Sequence, residues 1–230
     1  MPFRAKMPLI PALTPRTGRG RDPRQREGEG RQATGLDRVW MGRRLLLSLP
    51  VQLMAAQLSE AAQAEYENLE YRDGRLHWSR GSAVAAVGRA GVKADKHEGD
   101  GATPAGTYPL VSVYYRPDRI APPLSKLPVS PVKPNYGWVD EPADPNYNRL
   151  VLLPYPVSAE QMWRDDDLYD LLVVIGYNMA PVILGAGSAI FLHIATPDFA
   201  PTAGCVAVKK EVLLSLLPLL APGSRITIKA

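Results

Sequence analysis

A single cysteine, Cys205, stands among 230 residues. That excludes an intramolecular disulfide, and the lack of any C-x-x-C pair, with only three histidines, argues against a zinc site. Aromatic residues make up only 7 %, long helical patterns are few, and there is no internal repeat. No apolar run is long enough for a membrane span of about 20 residues. What the chain does have is proline (23) and glycine (19) in quantity, and 46 % apolar residues. That mix predicts a packed core of short strands joined by turns.

The net charge of +4 is unevenly spread. Residues 1–64 hold 11 Lys/Arg against 5 Asp/Glu, while the rest holds 16 against 18. The basic character therefore belongs to the N-terminal segment. Residues 1–40 read as a solvated, disordered tail. No aromatic residues are interleaved with its charges, so nucleic acid is not an expected partner. From Met41 a basic start (Arg43, Arg44) precedes an apolar stretch to about Leu58 and then Ala62-Gln63-Ala64. This is the order of a secretory signal with a small-x-small cleavage site. It predicts export, no membrane span after cleavage, translation from Met41, and a single mature domain over 65–230; the competing reading of this segment is an amphipathic helix packed on that domain.

Within that domain Asp73-Gly74 lies between two strand-like runs and predicts a hairpin. A small-residue strand follows, then a polar glycine-rich loop over 89–106. Strand composition marks 107–116, 149–154, 168–177 and 188–195. Residues 117–148 read as a long irregular loop, and 158–166 as a short helix capped by Ser158 with Gln161 in the capping-box position. "KKEVLLSLLPLL" predicts an amphipathic helix and "SRITI" a last strand. The expected fold class is mostly β, sandwich- or barrel-like, with six to nine short strands and one or two short helices.

The stretch "HIATPDFAPTAGC" carries the chemistry. A thiol becomes a nucleophile only as thiolate, which needs a base and some exposure. His193 lies at the end of an apolar strand, and Cys205 follows twelve residues later. A strand, a return and a second strand bring such side chains within reach of each other. Gly204 lets the backbone approach closely, and the amides of Gly204 and Cys205 are candidate oxyanion donors. Spacing alone favours a buried thiol beside a core histidine over a catalytic pair. Thr202 is a candidate substrate contact or a turn cap. Tyr177 and Asn178, at a strand end, are candidates to line a cleft. His97 and the Arg164–Asp167 run read as solvated, and His77 as a strand surface residue. Trp138 reads as a loop aromatic able to cover a cleft or stack on a sugar.

"FLHIATPDFAPTAGCVAV" resembles the catalytic motif of YkuD-type L,D-transpeptidases: a histidine at a strand end, then Ser/Thr-x-Gly-Cys opening the next strand. "GDGATPAGTYPL" is similar to the family's upstream segment through Thr103, Pro104, Gly106 and Tyr108. "YNRLVLLP" and "LYDLLVVIGYN" look like a proteobacterial branch. The resemblance covers about residues 80–229. It implies Cys205 as nucleophile, His193 as base, a thioester intermediate, no metal and no organic cofactor. The implied substrates are peptidoglycan stem peptides containing diaminopimelate. The orienting partner of His193 is expected to be a backbone carbonyl near the loop, and Ile194 is not expected to serve. The chain departs from the pattern at Ala203, usually histidine; at Ala207, usually arginine; and at His193-Ile194-Ala195, often H-G-T. A cysteine hydrolase on the same site and a non-catalytic wall-binding module are the competing readings.

Overall fold

A computed structural model describes residues 66–230. The expected tail (1–40) and signal (41–64) lie outside the described residues. Asp73 and Gly74 both take positive φ (52° and 72°), which lets β1 (Leu69–Arg72) turn directly into β2 (Arg75–Trp78). β3 (Gly81–Val84) completes this meander. The glycine-rich loop carries two short strands, β4 (Val92–Lys93) and β5 (Thr103–Pro104), which pair in parallel. β6 (Gly106–Tyr115) is the longest strand.

Two segments differ from expectation. The 117–148 stretch contains β7 (Val129–Pro131) and β8 (Tyr136–Val139). The helix expected over 158–166 is replaced by a strand, β10 (Ala159–Gln161). There Ala159, Glu160 and Gln161 pair with Val139, Trp138 and Gly137, so tertiary pairing overrides the local capping signal. β8 is the middle of a three-stranded sheet, flanked by β10 and by β9 (Leu150–Leu152).

The remaining elements are β11 (Leu171–Ile175), β12 (Phe191–Ile194), β13 (Val206–Val208), helix α1 (Lys210–Leu216) with a 3₁₀ turn behind it, and β14 (Arg225–Ile228). The main sheet runs β13-β12-β11-β6-β14-β1-β2-β3, with β7 beside β6. Its two ends meet. Ala86, just past β3, and Ala207 of β13 exchange both backbone hydrogen bonds at 2.8 Å. The sheet is therefore nearly closed and barrel-like.

One apolar core fills the barrel, built on Leu76, Leu110, Leu171, Leu192, Val206 and Ile226 with Leu213 and Leu216 of α1. A second lies against the small sheet, with Trp138, Met162, Tyr169 and Phe191. Every residue of β11 and β12 is buried. Covered on both faces, these strands read as continuous apolar runs rather than alternating ones.

Candidate active site

β12 alternates its side chains between the two cores, as a strand must. Leu192 and Ile194 enter the barrel, while Phe191 and His193 point to the other face. β13 runs parallel to β12, with Leu192 opposite Val206 and His193 opposite Ala207. One step back along this register, Cys205 falls level with Phe191, and the Phe191 N–H donates to its Sγ at 3.3 Å. The thiol and the imidazole thus share one sheet face, two positions apart on neighbouring strands, and both line one cavity of about 520 Å³.

The turn that presents Cys205 is fastened on all sides. The Thr202 hydroxyl donates to the Cys205 carbonyl at 2.7 Å and accepts the Gly204 N–H at 3.1 Å. Thr202 N–H bonds Val87 O, and Arg89 N–H bonds Thr202 O, both at 2.9 Å. Gly204 has φ +154°, and a Cβ there would lie 2.9 Å from the Ala102 carbonyl oxygen. Only glycine fits. That carbonyl belongs to the glycine-rich segment singled out in the sequence. In the same segment the buried Thr103 hydroxyl accepts the Gly88 N–H at 2.8 Å and donates to the Cys205 carbonyl at 3.4 Å. Asp100 accepts from Lys96 Nζ and from Ala102 N–H, both at 2.8 Å. Burial pushes the Asp100 carboxyl up, but its bonds from Lys96, His97 and Ala102 prevail and hold it at about 2.

His193 is oriented by its own chain. Nδ1 lies 2.8 Å from the Ile194 carbonyl. A carbonyl only accepts, so Nδ1 carries the hydrogen and Nε2 keeps its lone pair. Nε2 has no hydrogen-bond partner among the described residues. This corrects the expectation that Ile194 does not serve: it supplies the group through its backbone carbonyl. Tyr169 braces the ring edge-on, centroids 5.3 Å apart.

Sγ donates to the Ala189 carbonyl at 3.2 Å rather than to the imidazole. Ala189 holds φ +52°, a conformation maintained from outside. Its N–H bonds Oδ1 of buried Asn148, which also accepts Trp138 Nε1, while Asn148 Nδ2 holds the carbonyls of Tyr177 and Asn178. Nothing in the sequence distinguished Asn148, because its role is to join backbone groups of separate loops.

Burial pushes the Cys205 thiol up to about 12, with the Glu160 carboxylate adding to it and bonds from Phe191 N–H and Tyr169 opposing it. Burial holds the His193 imidazole down at about 4, against the Ile194 carbonyl that favours its cation. Both groups are therefore neutral at rest near pH 7. Such a pair does not store a thiolate; it passes the proton as the sulfur attacks. The Gly204 amide is occupied by Thr202, which leaves the Cys205 N–H as the donor without a partner among the described residues.

Thr202 lines the cavity, but both its hydrogen-bonding directions serve the turn. Tyr177 and Asn178 do not line it. The Tyr177 hydroxyl bonds Ala186 O and its ring packs edge-on against Tyr108. Asn178 staples residues 183–187 through three bonds to Ile183 and Gly187. Trp138 is 4 % exposed, packed edge-on against Phe191, and covers no cleft. His97 is exposed. Cavity residues that the sequence did not single out are Lys96, Glu98, Asp140, Glu160 and Tyr169. They come from several loops and strands, so no single spacing relates them.

A family model for the YkuD L,D-transpeptidase catalytic domain matches residues 58–228. No curated protein and no solved structure matches the chain.

Proposed function

Since the chain belongs to the YkuD family of L,D-transpeptidase catalytic domains, we propose that it cross-links peptidoglycan stem peptides through a thioester on Cys205. Membership makes it a cysteine-dependent enzyme of the cell wall that acts on peptidoglycan peptides. In the proposed reaction His193 Nε2 takes the thiol proton as Sγ attacks the carbonyl of the diaminopimelate residue. The oxyanion forms beside the Cys205 N–H. The C–N bond to the terminal D-amino acid breaks, and His193 returns the proton to the leaving amine. An amine of a second stem then attacks the thioester, an amide forms, and the thiol is restored. Dividing one acyl transfer into two steps of lower barrier is the reason for a covalent nucleophile.

One observation carries this reading: the sole thiol and a histidine fixed in its Nδ1–H tautomer face the same cavity. The apolar stretch and small-residue site before residue 65 support export to the periplasm as the setting. Among the described residues no helix is long and apolar enough to cross a membrane.

The test is incubation of purified protein with diaminopimelate-containing muropeptides, with product masses read out. Cross-linked dimers are expected, and their loss in Cys205→Ala. Shortened monomers alone would make the protein a hydrolase. No turnover, with Cys205 inert to a carbapenem by intact mass, would leave a binding module.

A further inference from the structure

The cavity holding Cys205 has an unbalanced charge. Two of its cations are already neutralised: buried Lys96 Nζ sits 2.8 Å from Asp100, and the partly exposed Arg164 sits 2.6 Å from Asp166. Arg89, at the rim, is exposed. Its carboxylates are in the opposite condition. Neither Glu160 nor Asp140 forms an ion pair among the described residues, although both line the cavity. They belong to neighbouring strands, with Glu160 on β10 and Asp140 directly after β8, where Ala159 pairs with Val139. Glu160 Oε1 accepts the Tyr169 hydroxyl at 2.6 Å, and that tyrosine also braces His193. Asp140 supplies an independent sign. Its Oδ1 is sealed from solvent and accepts no hydrogen bond among the described residues. A buried acceptor left without a donor costs free energy that a bound donor returns.

We propose that Glu160, with Asp140 beside it, is a specificity-determining residue that receives an ammonium group of an amine-bearing substrate next to the Cys205 sulfur. An ammonium brings three N–H donors and one positive charge, which is what an unpaired carboxylate and an orphaned carboxylate oxygen lack. A carboxylate placed against this wall meets repulsion, so the wall selects by charge which end of a zwitterionic ligand faces it. Tyr169 holds the Glu160 carboxyl in place as a positioning residue. Burial raises the Glu160 carboxyl against the Tyr169 bond and the Arg164 charge, which lower it, and the charges of Asp140 and Glu98 add to the rise. An incoming cation relieves that mutual repulsion and removes one of the influences keeping the thiol protonated.

The assignment rests on Cys205 being the reactive sulfur, and its test does not depend on which peptide is transferred. Cys205 is the only thiol in the chain, so alkylthiosulfonates report on it alone. Labelling rates are measured with 2-aminoethyl, 2-sulfonatoethyl and uncharged methyl methanethiosulfonate, each divided by the rate with a small free thiol. In each case the disulfide forms and methanesulfinate leaves. The ammonium reagent is expected to exceed the sulfonate by about tenfold or more, as focusing by a charged cleft produces. Glu160→Gln, which keeps an oxygen for Tyr169, is expected to cut that ratio at least about threefold, and Asp140→Asn to cut it in the same direction. A ratio unchanged in both variants overturns the assignment, while normal labelling by the methyl reagent leaves Cys205 standing as nucleophile. Failure of the methyl reagent itself means a closed sulfur and overturns both.

Discussion

The imidazole of His193 shows at the scale of one residue how burial sets chemistry. An ordinary histidine ionises near pH 6.5, whereas this one is held at about 4. Between those values the unfolded chain takes up a proton that the folded chain refuses, so stability present above about pH 6.5 is lost as pH falls toward 4. The full difference amounts to roughly 3 kcal/mol. Urea unfolding of the wild type and of His193→Gln at pH 7 and pH 5 checks it. The wild type is expected to lose stability more steeply, and equal losses would show that the ring is solvated. Cys205 gives the complementary signal. With its thiol pushed up to about 12, alkylation by iodoacetamide is expected to climb about tenfold per pH unit from 7 to 10 without a plateau. A plateau by pH 8 would reveal a preformed thiolate.

What the sequence disclosed at this scale depends on residue type. Cysteine and histidine are rare enough here for their order along the chain to carry meaning. Ile194 acts through its carbonyl and Ala189 through its backbone conformation, and neither contribution can be inferred from a side chain. Asn148 looks like any turn asparagine until the loops that it joins are folded together.

Among the elements, the turn opening β13 decides whether the sulfur is presented. Thr202 closes that turn from both sides, bonding the Cys205 carbonyl and the Gly204 amide. Thr202→Val keeps the shape and removes both bonds. It is expected to cost about 1–3 kcal/mol of stability and to lower kcat while leaving KM nearly unchanged, because no substrate contact is lost. Thr202→Ser is expected to restore both. A rise in KM alone would place the hydroxyl on the substrate instead. Local signals were sound where the structure is itself local. Asp73-Gly74 turns a hairpin within four residues, and the 210–219 pattern gives a helix with Leu213 and Leu216 buried. They failed at β10, where Ser158 and Gln161 satisfy a capping rule but the segment pairs with β8, twenty residues away. They failed again over 117–148, where β7 and β8 are too short and too interrupted by proline to show a period. The acidic wall of the cavity was invisible for the same reason, since Glu160 and Asp140 meet only through that pairing.

Closure of the barrel places the site within the whole molecule. The meander β1–β3 and the strands β12–β13 beside the candidate site are the far ends of one sheet, and they meet at Ala86 and Ala207. Beyond that junction the chain continues as Val87, Gly88 and Arg89, which bond Thr202 and Thr103 under the cysteine turn. Small side chains form the seam: Ala86, Ala195 and Ala207 pack together, none more than 9 % exposed, with Phe199 against them. Position 207, where the resemblance leads to an arginine, holds an alanine 1 % exposed, directly opposite His193 and bordering the cavity. The seam should therefore be necessary for reactivity as well as for shape. Ala86→Pro deletes the N–H that bonds the Ala207 carbonyl, and is expected to cost about 1–3 kcal/mol. It should also release the cysteine turn, so that the Ala207 and Thr202 amides exchange hydrogen faster than those of β6 and β11. Ala86→Ser keeps the N–H and is expected to preserve protection at both. If Ala86→Pro destabilised the fold uniformly, with exchange at Thr202 rising no more than at β11, the closure would be a feature of the barrel alone and the cysteine turn would be held independently of it.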